Sequence, residues 1–319
     1  MKRIGLLCFF LLAFHHCQAA KIGDVTTLNW QEQALRFITF KDPSLQIVIL
    51  GVIILGICCG LLGSFLIVRK KALFSDALSH AVLPGIVIGF LWNMQKKPLS
   101  LLMGAVVSGL IGVWVIYRLK KTTVLKDDSI LGLVLTGFYA LGICLLTMLQ
   151  NVPIGHQSGL DKYLFGQAAA LSWEDIKWMT SLTIVSIAMI WIFYKELLVS
   201  SFDPEFAYST GLNKYFLDEL LLMLVTFTIV ISIKAVGVVL VSAMLIIPSS
   251  TALLLTNRLH KVILFSIGIG ILSAVIGTFL SFTMHNLPTG PFMVITGATI
   301  FILTFLMTFK GKLIRNPRS

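Results

Sequence analysis

Residues 45–67 read LQIVILGVIILGICCGLLGSFLI, an apolar run free of acidic and basic side chains that stops at Arg69-Lys70-Lys71. A hydrocarbon layer about 30 Å thick takes about 20 helical residues to cross, and inside it every backbone N–H and C=O must be paired within the protein. A run of this length is a spanning helix. Gly56 and Gly60 lie four apart on it, a spacing that lets a second helix approach closely.

Working outward, comparable runs occupy 74–93, 98–117, 129–150, 176–194, 216–233, 235–256, 262–283 and 291–309, bounded by charges or turn residues. The two that meet at Lys234 leave no room for an ordinary loop. One of them is expected to be short, tilted or broken. The fold class is therefore all-α: a polytopic membrane bundle of eight or nine spanning helices.

Composition agrees, because 57% of the 319 residues are hydrophobic and only 12% charged, against about 45–50% and about 25% in soluble domains. A mean hydropathy of +0.94 leaves too few polar side chains to cover a water-soluble surface. Soluble enzymes, disordered chains and nucleic-acid-binding domains are excluded. The net charge of +11, from 25 Lys and Arg against 14 Asp and Glu, reports orientation instead, since basic residues gather on the inner face. With residue 43 outside, the inner set is Lys2, Arg3, Arg69, Lys70, Lys71, Arg118, Lys120, Lys121, Lys126, Lys195, Lys214, Arg258, Lys261, Lys310, Lys312, Arg315 and Arg318, seventeen of the 25. This expectation holds only if separate segments flank Lys234.

Residues 1–20 combine a basic start, an apolar stretch and a small-residue end, the pattern of a signal peptide or, uncleaved, an N-terminal anchor helix. Residues 21–43 read as an amphipathic strip at the outer interface, with Trp30, Phe37 and Phe40 as its aromatics. Residues 44–309 form the transmembrane domain and 310–319 a basic inner tail. The cysteines at 8, 17, 58, 59 and 144 show no CxxC spacing, and read as small packing residues rather than ligands.

Chemistry concentrates at Ser75-Asp76-Ala77-Leu78-Ser79-His80, followed by Pro84-Gly85. An ionisable residue at the centre of a spanning helix costs about 2.5–3.5 kcal/mol on insertion scales, so two of them need a polar surrounding. Asp76 and His80, four apart, share a helix face. A carboxylate and an imidazole suit a divalent first-row metal such as manganese, iron or zinc. Spacing alone leaves open a second reading, a helix-start carboxylate beside a structural histidine. Pro84-Gly85 weakens or kinks the helix and could bare backbone carbonyls to a pathway. His156 and His285, on outer intervals, and His260, among inner basic residues, read as solvated or head-group contacts.

The run Gly60-Leu61-Leu62-Gly63-Ser64-Phe65-Leu66-Ile67-Val68-Arg69-Lys70-Lys71, followed by Asp76 to Gly85, resembles the permease family of manganese, zinc and iron ABC importers. Tyr163-Leu164-Phe165-Gly166, Phe202-Asp203-Pro204-Glu205-Phe206-Ala207 with Gly211, Val236 to Pro248, and Leu287-Pro288-Thr289-Gly290-Pro291 agree in the same order, so the likeness covers about 45 to 308. The resemblance implies a transmembrane subunit of a bacterial inner-membrane importer. Its partners would be a second permease chain, two cytoplasmic ATPase subunits and an external metal-binding protein, in a lipid membrane and without nucleic acid. It implies that Asp76 and His80 line the path of the transported metal, that no cofactor is held tightly, and that Phe202, Asp203, Glu205, Ala207 and Gly211 mark the segment that couples to the ATPase. The acidic residues and Pro204 suit the start of a short helix there, and Gly211 its end. The sequence contains no GxxxxGK[ST], HExxH or GxSxG, so the chain is expected to be a transport subunit and not itself an enzyme.

Overall fold

The computed structural model describes residues 43–93, 98–150, 166–283 and 288–315. The expected N-terminal signal or anchor, the strip at 21–42, His156, Tyr163 to Phe165 and His285 lie outside the described residues. So does the end of the tail, 316–319.

Among the described residues the chain is helical with no strand. The helices are α1 (Pro43–Val68), α2 (Ala72–Asn93), α3 (Pro98–Thr122), α4 (Asp127–Gln150), α5 (Trp173–Ile192), α6 (Tyr194–Phe202), α7 (Pro204–Ser209), α8 (Lys214–Val236), α9 (Val238–Leu255), α10 (Leu259–Thr283) and α11 (Thr289–Arg315), with a 3-10 turn at Ala168–Ala170 before α5. Nine of these are long and apolar enough to cross a membrane, all except α6 and α7. The upper end of the expected range is the one observed.

The polar ties sort the ends of the helices into two groups, as alternating spans require. At one end Arg69 and Lys71 share the carboxylate of Asp218, and Lys120 pairs with Asp127 at 2.6 Å. At the other end Lys234 pairs with Asp175, the backbone N–H of Gln167 donates to the Lys234 carbonyl, and that of Ala168 donates to Thr289 Oγ1. The first end carries the basic clusters expected inside.

Burial separates a central set from a peripheral one. In α1, α2 and α8 about two thirds or more of the spanning window is buried within this chain (67%, 78% and 67%), while in α4 and α11 it is 28%. The peripheral helices turn Met103, Trp114, Leu133, Trp191 and Met307 outward, as a bilayer or a partner chain permits. Close helix contacts use glycine where the sequence placed it: a Cβ on Gly56 or Gly60 would overlap the backbone of α10 at Gly270 or Ile267.

The structure departs from expectation at three places. The break near Lys234 falls at Gly237, whose φ of 95° is open to glycine and closed to most other residues. Lys234 stays helical because its ammonium finds Asp175 across the bundle. The inner interval after α5 also holds one more helix than the short one expected, α6, which buries Leu197 and Ser200. At the carboxyl end α11 runs on to Arg315, into the segment its charges suggest as a tail.

Candidate functional site

Asp76 and His80 lie on the inner half of α2, about 6 and 12 Å along its axis from Ala72 at 1.5 Å per residue. They do share a face: His80 Nε2 stands 3.7 Å from Asp76 Oδ1. Two neighbours come from far along the chain. Ser242 of α9 donates its hydroxyl to Asp76 Oδ1 at 3.2 Å. Tyr139 of α4 meets the His80 ring edge-on, with centroids 4.9 Å apart and planes at 77°.

The group is polar but incompletely satisfied. The Asp76 side chain is 37% exposed and that of His80 13%, while His80 Nδ1 is buried without a hydrogen-bond partner among the described residues. Metal bonds of about 2.1 Å to Oδ1 and Nε2, at the observed separation, would enclose an angle of about 120° at a cation. One chain can thus offer an oxygen and a nitrogen to a divalent ion. No group of three or more His, Cys, Asp or Glu side chains able to hold a metal occurs among the described residues.

Below this pair, α2 runs through Pro84 unbroken. Proline lacks the N–H that would close the helical turn there, and the next turn is reinforced from outside, by Ser108 Oγ of α3 donating to the Ala81 carbonyl at 2.6 Å. Gly85 abuts α3 so closely that a Cβ would overlap the carbonyl of Gly104. Pro84 and Gly85 are both buried. In this structure the pair packs in the α2–α3 contact, and the carbonyl that Pro84 leaves without its helical partner is that of His80.

At the inner end, α7 forms as the spacing predicts. Asp203 caps it by accepting the N–H of Phe206 at 2.9 Å, and Pro204 fills the first turn. Just past its C-cap Thr210, Gly211 adopts a φ of 77°. Ala207 is fully buried, whereas Phe202, Phe206 and Tyr208 are 58%, 54% and 79% exposed. One side of this short helix is seated on the bundle and the other presents aromatic rings beside Asp203 and Glu205.

Charges just outside the spans behave as their burial dictates. Burial pushes the Arg69 guanidinium and the Lys71 ammonium below their ordinary values, and the Asp218 carboxylate pushes both back up.

The reading from sequence missed Ser242 and Tyr139 as neighbours of the pair. Ser242 lies within a quoted motif, Val236 to Pro248, yet a serine in a spanning helix ordinarily bonds its own backbone. Only the packing of α9 against α2 reveals its acceptor. Tyr139 offers no signal beyond being a polar-tipped aromatic in an apolar run.

The ABC 3 transport family matches residues 41–308. The manganese transport system membrane protein MntC of Bacillus subtilis is 38% identical over 274 residues, which span 86% of this chain and 63% of that protein's own length. The zinc transport system membrane protein TroC of Treponema pallidum is 37% identical, over 84% of this chain and 90% of its own. Among solved structures, PsaBC from Streptococcus pneumoniae in complex with Fab superposes with a TM-score of 0.76 at 33% identity, covering 85% of this chain and 95% of that one. Together with nine apolar helices, these likenesses mark a multi-pass protein of the bacterial inner membrane. With its spans, its inner helix and its ordered motifs matched from residue 41 to 308, the chain belongs to the ABC 3 transport family.

Proposed function

We propose that this chain is the transmembrane subunit of an ATP-driven importer that carries manganese or zinc, or iron with similar ligand preferences, by alternating access. The observation that supports it most is the carboxylate, imidazole and hydroxyl group formed by Asp76, His80 and Ser242 within an apolar bundle. A carboxylate open on one side is too costly to face lipid. Its open side therefore meets water, cargo or another protein chain.

Two protein ligands make a weak site compared with the four of a closed structural one, which suits a group that must let its cargo go. A second permease chain, related by a two-fold axis, would bring another such pair toward the first and raise the ligand count to four while cargo is in transit. The external binding protein would deliver the ion. At the inner face, the exposed aromatic side of α7 would seat in a separate ATPase subunit, whose closure turns the site from one side of the membrane to the other.

The test is transport by liposomes containing the permease with its ATPase and binding-protein partners, with Mn2+ and Zn2+ offered in turn. ATP-dependent accumulation of at least one of them is expected. Equal accumulation by the permease alone, without nucleotide, would overturn the ATP-driven reading in favour of a secondary transporter or channel.

A further inference from the structure

One buried cation at the inner end holds an unusual number of partners. Arg69 Nε donates to Ser201 Oγ at 2.9 Å, Nη1 to Asp218 Oδ1 at 2.5 Å, and Nη2 to Ser200 Oγ at 2.6 Å and the Leu197 carbonyl at 3.4 Å. The hydroxyl protons of Ser200 and Ser201 both go to the Leu197 carbonyl, which leaves their lone pairs facing the guanidinium. The side chain is only 4% exposed. A single arginine thus ties α6 and the first turns of α8 to the end of α1.

The turn that carries Arg69 is itself stiff. Lys71 N–H bonds to the Leu66 carbonyl at 2.8 Å and Lys70 N–H to that of Ile67 at 2.9 Å, the doubly bonded helix ending in which the residue after the cap is left-handed. That residue is Lys70, with a φ of 57°, uncommon for a side chain other than glycine. α2 starts at Ala72, so Arg69 stands only seven positions before Asp76 on one continuous piece of backbone. On the other side, α7 follows α6 after the single residue Asp203 and buries Ala207 against the bundle.

We propose that Arg69 is the positioning residue that carries movement of α7 to the metal pair, by clamping α6 to the turn that begins α2. This rests on the reading of residues 202–211 as the segment that meets the ATPase. When α7 is displaced, α6 moves with it. The fork of hydrogen bonds then pulls the 69–71 turn, and the start of α2 swings Asp76 and His80 relative to Ser242 on α9. Lysine could keep the charge opposite Asp218 but, with one compact ammonium, not the whole fork.

The test uses the complete complex in liposomes, with Mn2+ uptake and ATP hydrolysis measured together, for Arg69→Lys and for the double variant Ser200→Ala/Ser201→Ala. The double variant loosens α6, leaving only the 3.4 Å contact to the Leu197 carbonyl, and keeps the Arg69–Asp218 pair in place, so it carries the test if Arg69→Lys fails to assemble. Assembled variants are expected to hydrolyse ATP yet move about tenfold fewer metal ions per ATP, within the usual range of coupling between sites. A mere staple would lower yield and thermal midpoint while the ratio of metal to ATP stayed normal, and a normal ratio in the assembled double variant overturns the proposal. Absence of ATP-dependent uptake by the wild type would instead overturn the transport reading on which it rests.

Discussion

Arg69 and His80 lie on either side of one short stretch of chain and are held in opposite ways. The guanidinium has four hydrogen bonds to three acceptor residues of α6 and one of α8. The imidazole has a ring contact, a carboxylate 3.7 Å away and a buried nitrogen with no partner among the described residues. A buried cation without partners costs several kcal/mol, so the four bonds at Arg69, from a guanidinium with five N–H donors, make a joint that resists opening. At His80 the unmet capacity is a single buried nitrogen and, on the proposed reading, an Nε2 left for an ion. The rigid joint and the loose site differ in how much of their bonding capacity the protein has already used.

That contrast breaks most sharply at the loose end. On the proposed reading, replacing His80 by Ala removes one of two ligands, a larger loss than the ~10–100-fold that residues behind a metal ligand usually cost. Metal uptake by the reconstituted complex is expected to vanish, while co-purification with the ATPase is retained. Uptake at the wild-type rate would take His80 out of the path. A saturated pair elsewhere should respond in stability and not in transport. Lys234 reaches Asp175 at the outer end, where the same carboxylate also accepts from Ser172 through its N–H at 2.7 Å and its hydroxyl at 2.6 Å. Lys234→Met would leave Asp175, 9% exposed, without its counter-charge. The cost should be about 2–3 kcal/mol, below the ~3–5 of a fully enclosed pair, because Ser172 remains. The check is the unfolding midpoint in detergent, with most of the loss recovered in Lys234→Met/Asp175→Asn.

What the sequence makes legible follows the range of the forces involved. The spans are written in runs of about twenty apolar residues, because the bilayer imposes its length on each segment separately. The short inner helix is equally local: Asp203, Pro204 and Gly211 each act within a turn or two of their own position. Asp76 and His80 stand out because ionisable side chains are so expensive in this surrounding. The break beside Lys234 was harder to place, since charge marks a boundary only when it lacks a partner, and Lys234 has one in Asp175, 59 positions away. α6 escaped notice because Tyr194 to Phe202 is short and mixed in character, and is held by Arg69 from more than a hundred positions upstream. The ties through Ser242, Ser108 and Tyr139 are likewise invisible until the helices are packed.

Ser242 offers the finest adjustment of the contrast, because among the described residues it makes the one hydrogen bond to the Asp76 carboxylate. Its hydroxyl is 3.2 Å from Asp76 Oδ1, longer than the 2.5–3.0 Å of a typical O–H···O bond. A hydrogen bond to a charged group contributes about 1.5–3 kcal/mol when well made, so this one is worth nearer ~1 kcal/mol, equivalent to about fivefold in affinity. Ser242 is nearly buried, and its replacement by Ala removes only an oxygen, so the fold should survive. With Ser242→Ala the Asp76 carboxylate is free to turn away from His80. The concentration of Mn2+ giving half-maximal uptake is expected to rise about fivefold, with the maximal rate little changed. An unchanged half-maximal concentration would mean that the hydroxyl does not aim Oδ1 at the cargo, and a lower one that it competes with the cargo for that oxygen.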